Sequence, residues 1–206
     1  MNDENGQVLS GEQVRVLASL MEKHLATPKN YPLTPNSLTL ACNQKSNRHP
    51  VMTMDEGKVV NIAQQLNKLG YVSIDYGDRI TKFSHRVPGK LEVTRAQQGV
   101  LAILMLREPL TLNDIKARTE KTVGFESLDQ VQETISQLMT RDRVLVTELP
   151  VSAGQREVRY THLLSGEPDL SALHASSARV SKPSQAEKIA ELESRIERLE
   201  AALDLA

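Results

Sequence analysis

One pattern occurs twice along this chain of 206 residues, and a repeated unit restricts the possible folds more than any single motif does. Leu17 matches Leu101 at an offset of 84, Leu33-Thr34 matches Leu110-Thr111 at 77, and Leu66 and Val72 match Leu138 and Val144 at 72. The offset shrinks because the first copy holds about seven more residues between its first and second helices. It holds five more between its second and third, in the stretch "CNQKSNRHPVM". Each copy opens its helices with the same chemistry. "LSGEQV" sets Ser10 as N-cap with Gln13 three residues on, and Leu9 and Val14 as a hydrophobic staple. "LTPNSL" repeats the staple with Leu33 and Leu38 around Thr34 and puts Pro35 at the first helical position. "TMDE" offers Thr53 and Glu56, "TRAQ" Thr94 and Gln97, "LTLNDI" Thr111 and Asp114, and "SLDQ" Ser127 and Gln130.

After each third helix come β-rich runs, "YVSI" and "ITKFSH" around Gly77, then "VLVTEL" and "REVRYTHL" around Gly154; both glycines suit tight hairpins. Three helices and a hairpin, twice, predict an α+β, mostly helical chain of tandem winged helix-turn-helix domains with a C-terminal helix. The expected order is a flexible start over 1–9, a first winged-helix domain over 10–90 and a second over 91–164. A linker over 165–183 and a helix forming a short coiled coil over 184–206 follow. A generic α+β domain with accidental internal similarity is the competing reading.

The balance of 39% hydrophobic and 25% charged residues is that of a soluble globular protein. No apolar run approaches a membrane span, "MNDENGQ" does not read as a signal peptide, and the single Cys42 excludes an internal disulfide framework. A cytoplasmic location is expected. The net charge of −1 is unevenly spread. Residues 34–90 hold eight basic against four acidic residues, while 165–206 hold five against eight. A polyanion partner, double-stranded DNA first among them, should meet residues 34–90. With aromatic residues at 3% and no Trp, single-strand stacking platforms are not expected.

The third helix of the first unit is expected from Met54 to Leu69, closed by Gly70. Its core face is Val59, Ile62, Ala63 and Leu66, and the opposite face Lys58, Asn61, Gln65 and Lys68. In a winged helix this element enters the major groove; Asn and Gln suit adenine edges and Lys suits guanine or phosphate. An ordinary solvated face has the same residue types. The equivalent face of the second unit, Gln130, Glu133, Gln137 and Thr140, has a carboxylate and no cation, which fits protein binding or packing. Its wing residues Arg156 and Arg159 are balanced by Glu157.

The long turn supplies Asn43, Gln44, Lys45, Asn47 and Arg48 as a loop motif that could grip phosphates or a carboxylate, or satisfy its own backbone. With Arg79 in the wing, Lys45, Arg48, Lys58, Asn61, Gln65 and Lys68 complete the expected nucleic-acid contacts. Cys42 shares a face with Leu38 and Ala41 and reads as a buried small hydrophobe. The five histidines share no ligand spacing, and no phosphate loop, carboxylate pair or Ser/His/Asp pattern emerges, so neither enzyme activity nor a cofactor or metal is expected. A DNA-binding protein or transcriptional regulator is the leading expectation. A protein-interaction scaffold is the rival.

In the last segment Ile189, Leu192, Ile196, Leu199 and Leu203 fall at spacings of 3, 4, 3, 4. Ile at a and Leu at d favour a parallel pair, and Lys188 with Glu193 and Arg195 with Glu200 match across it. These residues are the expected homodimer seam, with docking on the same chain as the alternative.

"YPLTPNSLTLACNQKSNRHPVM" resembles the signature of the YceH-like proteins, a bacterial family of paired winged-helix domains without an assigned activity. The resemblance continues through "LNKLGYV" and "TRAQQGVLAILMLREPLTLNDIKART" and covers most of residues 10–164. It implies the fold but names no ligand or partner. An acidic residue commonly stands between the Arg and the Pro in that family; here it is His49.

Overall fold

Helix α1, Gly11–Ala26, begins where Ser10 accepts from the Gln13 N–H while the Gln13 side chain accepts from the Ser10 N–H, the reciprocal cap read from the sequence. The computed structural model describes residues 8–169 apart from 78, 79, 108 and 152–156. After a short 3-10 turn, Pro28–Asn30, Thr34 caps α2, Pro35–Cys42. Helix α3, Glu56–Lys68, is capped by Asp55, whose carboxylate accepts from the Lys58 N–H at 2.8 Å. The expected start at Met54 with Thr53 as cap is thus two residues early; a carboxylate beside the positive end of the helix is the stronger cap. Gly70 closes the helix at φ +79, a conformation a Cβ would strain.

Strands β1, Val72–Tyr76, and β2, Thr81–His85, form an antiparallel hairpin with Val72 opposite His85. Leu33, ahead of α2, joins it through both backbone bonds to Phe83, at 3.0 and 2.8 Å. The second half repeats this order. Helix α4, Val87–Leu91, not among the expected helices, leads into α5, Arg95–Leu106, capped by Thr94 and Gln97. Helix α6, Leu112–Thr119, carries the Thr111/Asp114 capping box, and α7, Leu128–Met139, starts at Ser127. Strands β3, Val146–Leu149, and β4, Arg159–His162, pair antiparallel, and Leu110 bonds to Tyr160 as Leu33 does to Phe83. Two small antiparallel sheets among seven α-helices, within the described residues, make an α+β fold compatible with the winged helix.

The halves meet through their first helices. Every residue of α1 from Val14 to Met21 is buried, and every residue of α5 from Gln97 to Leu106, because α1 packs along α5 while each also covers its own half. A helix buried on all sides is apolar almost all round, as "VLAILML" is. Residues up to Glu167 form one compact unit with a continuous core from Leu9 to Leu164. The seam residues Ile189, Leu192, Ile196, Leu199 and Leu203, the coiled-coil segment, and Arg79 and Arg156 lie outside the described residues. No helix among the described residues is long and apolar enough to cross a membrane.

Candidate functional site: the third-helix face and the turn before it

The face of α3 opposite its core is open to solvent. Lys58, Asn61, Gln65 and Lys68 are exposed, and Val59, Ile62, Ala63 and Leu66 are buried, the division the periodicity predicts. Lys58 Nζ lies 2.5 Å from Glu12 Oε1, an ion pair with both side chains nearly half exposed and therefore of little energetic weight. A relay of amides runs along the face. Gln13 donates to Gln65 at 3.0 Å, and Gln65 donates to Asn61 at 2.8 Å.

Helix α7 has the same relay 72 residues on. Gln97 donates to Gln137 at 3.0 Å, and Gln137 donates to Glu133 at 2.9 Å. Since the relay recurs in both halves, it belongs to the repeat itself. What distinguishes the two faces is charge: Lys58, Asn61 and Lys68 stand where the second half has Gln130, Glu133 and Thr140. Gln130, Glu133 and Gln137 of α7 and Thr140 at its C-cap are likewise exposed.

The turn between α2 and α3 is held by its own amides and two buried arginines. Asn43 accepts from the Met54 N–H at 3.0 Å and donates to the Met54 carbonyl at 2.7 Å, closing the base of the turn as a neighbouring strand would. Arg48 turns inward. Its side chain is fully buried, with Nη2 2.5 Å from Glu22 Oε2 and 3.1 Å from the Ala41 carbonyl, and Nε 3.2 Å from that same carbonyl. Glu22 of α1 thus takes the carboxylate role opposite Arg48. That placement corrects the phosphate contact expected of Arg48: a guanidinium with no exposed surface and its donors spent on the end of α2 has none left to offer.

Arg15 of α1 was missed by the sequence reading. It is 1% exposed and donates to the carbonyls of Cys42, at 3.2 Å, and Pro50, at 2.6 Å. Burial and the nearby Arg48 lower its pKa. The signal was its place in "VRVLASLM", a cation inside an otherwise apolar helical run. Cys42 is buried as expected, and burial pushes its thiol up to about 11, which leaves no reactive thiolate. Of the remaining loop residues Gln44 is half-buried and Lys45 exposed. Asn47, at φ +61, accepts from the Arg107 guanidinium, and the His49 N–H donates to the Leu106 carbonyl at 2.8 Å. The tip of the turn is therefore fastened to the end of α5, in the other half of the molecule.

These features define a class: a twofold-repeated α+β protein whose third helices differ in charge and whose halves are tied by an arginine-held turn. The chain belongs to the family described as "Protein of unknown function, DUF480", whose model matches residues 9–155. A "UPF0502 protein" of Xanthomonas campestris is 42% identical over 194 residues, covering 94% of this chain and 86% of the relative. One from Geobacter sulfurreducens is 43% identical over 192 residues, covering 90% and 87%. Membership of this bacterial family agrees with the resemblance carried by the turn motif.

Proposed function

We propose that the two halves are tandem winged helices and that the first binds double-stranded DNA without catalysis, as a transcriptional regulator does. The carrying observation is the charge difference between two faces of one design: Lys58 and Lys68 on exposed α3 stand where α7 and its C-cap have Gln130 and Thr140, while a similar side-chain relay runs along both faces. Lys58 and Lys68 meet phosphate or guanine, and Asn61 and Gln65 present amides to base edges. Exposed Lys45, in the turn ahead of the helix, adds a further cation, and Arg79, outside the described residues, remains the contact expected from the sequence. The exposed Lys58–Glu12 pair gives way when a phosphate competes for the ammonium. A homodimer paired through Ile189, Leu192, Ile196, Leu199 and Leu203 would present two such faces to neighbouring half-sites.

Without Arg48, about four neutralised phosphates correspond to a slope near −3.6 in log affinity against log salt. Anisotropy of a labelled random duplex at several salt concentrations measures it. Lys58→Glu with Lys68→Glu should abolish binding while the circular dichroism of the fold is kept; unchanged affinity in that double variant sinks the reading. A scaffold role is favoured by one observation, the exposed apolar side chains of Leu40 (64%), Val51 (58%) and Tyr76 (71%) in the same half. Capture of a protein from nuclease-treated lysate that is lost on Leu40→Ser and Tyr76→Ser would favour it over DNA.

A further inference from the structure

Behind the turn, where its tip meets the second half, lies a cavity of about 220 Å³ whose walls come from both halves. Asn47, Arg48 and His49 form one side, and Arg107, Arg118 and Arg159 stand around the other. The Arg48 guanidinium is turned to Glu22 and the Ala41 carbonyl, so Arg107, Arg118 and Arg159 are the cations left to the cavity, and the carboxylate of Asp114 stands among its walls. The acidic groups within reach are largely committed. Glu22 pairs with buried Arg48. Asp114 Oδ2 caps α6, accepting from the N–H and hydroxyl of Thr111, and its other oxygen lies 3.8 Å from Arg118. Arg107 donates to the neutral amide of Asn47, and Arg159 donates to the Pro109 carbonyl at 3.2 Å. Among the described residues, then, neither has a carboxylate in direct contact. Burial lowers the pKa of Arg107, helped by Arg118 and Arg48 close by, while Glu22 and Asp114 act against it.

We propose that this cavity is a binding site for a compact phosphate oxyanion, free phosphate or a small phosphomonoester, held by Arg107, Arg118 and Arg159. Guanidinium forks match phosphate oxygens in bidentate fashion, and a doubly charged oxyanion adds to the counter-charge that Asp114 offers three arginines. The volume admits a phosphate with a small substituent. Because Asn47 and the His49 N–H fasten the turn to the same wall, occupancy would brace the segment leading into α3. The site is independent of the DNA reading, since Lys58 and Lys68 are not among its walls.

Nuclear magnetic resonance of the labelled full chain tests this, with inorganic phosphate, ribose 5-phosphate and a short duplex as separate titrants at matched ionic strength. Saturable shifts of the amides of residues 47–49, 107 and 118 with either small phosphate are expected. They should be retained in Lys58→Glu/Lys68→Glu and weakened at least tenfold in Arg118→Gln. Arg118 is more than a third exposed, so this variant leaves the core intact, and Arg159→Gln provides a second arm. Shifts that grow linearly with phosphate, that match those with chloride, or that survive Arg118→Gln overturn the proposal. So do shifts at these amides produced by the duplex and not by the small phosphates.

Discussion

At the scale of single residues, the molecule places charge where it is costly and then surrounds it. Arg48 and Arg15 are buried cations whose donors reach the carbonyls of Ala41, Cys42 and Pro50, which no helix or strand bond would otherwise use. Removing the one carboxylate in the group leaves a charge stranded in low dielectric. Glu22→Gln should therefore cost about 3 kcal/mol in urea unfolding, since breaking a buried pair typically costs about 3–5 kcal/mol and Glu22 keeps some solvent. Under folded conditions that variant should bind duplex like the parent, which separates a structural Arg48 from a phosphate contact. A second residue-scale prediction concerns His85, whose pKa burial and nearby His24 push down to about 4. Val87 N–H donates to His85 Nδ1 at 3.3 Å, so the neutral ring carries its proton on Nε2, 3.1 Å from His24 Nδ1. Tyr31, Gln98 and, through its charge on His24, Arg95 are the other groups facing the pair. Protonation would set two N–H groups against each other at Val87. With the folded pKa below the unfolded value, the unfolded state binds the proton first. Stability is then full above about pH 6.5 and falls as pH drops from there toward about 4, by about 2–3 kcal/mol. His162, also held at about 4 by burial, adds to the same window. Urea midpoints across that range should flatten partly in His85→Gln and further when His162→Gln is added.

At the scale of elements, the caps and the turn decide where helices stop. Asn43 closes a ten-residue excursion with two hydrogen bonds to Met54, and Asn43→Ala should cost about 1–3 kcal/mol because the Met54 groups are left unpaired in a half-buried site. Such a loss, seen in chemical unfolding without a change in helix content, would fix the amide's role as structural. Helix α5 can approach its neighbours because residue 99 is Gly. A methyl group there would collide with Val123 and come within 3.8 Å of Leu25. Gly99→Ala is expected to destabilise by about 1–3 kcal/mol, although alanine is the better helix former, and Val123→Ala should restore most of the loss. A thermal melt of the single and double variants decides it.

At the scale of the whole molecule, the central fact is that α1 and α5 share one core. Arg143 donates to Tyr71 at 3.1 Å and Arg141 to the Leu91 carbonyl at 2.6 Å, so the second half also grips the end of the first. Residues 1–92 alone would expose the α1 face that now meets α5. That fragment should lack the cooperative unfolding and dispersed amide spectrum of the full chain; native-like behaviour would refute the shared core as the source of stability. Deleting residues 184–206 is expected to weaken self-association and spare the fold, as sedimentation of the two chains at matched concentration would reveal.

Local rules were enough for the repeat, six helix starts to within two residues, both hairpins and the exposed face of α3, because caps, staples and apolar periods act over four to seven neighbours. They were enough too for the burial of Cys42, whose companions Leu38 and Ala41 lie within the turn before it. The fate of Arg48 was beyond them. The same Lys- and Arg-rich turn could face water or fold inward, and the deciding group, Glu22, lies 26 residues upstream on another helix. Arg15 and the cavity beside Arg107, Arg118 and Arg159 were hidden for the same reason. Desolvation and pairing depend on which distant side chains arrive together: α5, α6 and β4 converge on Arg107, Arg118 and Arg159, and the turn before α3 closes over them from the other half.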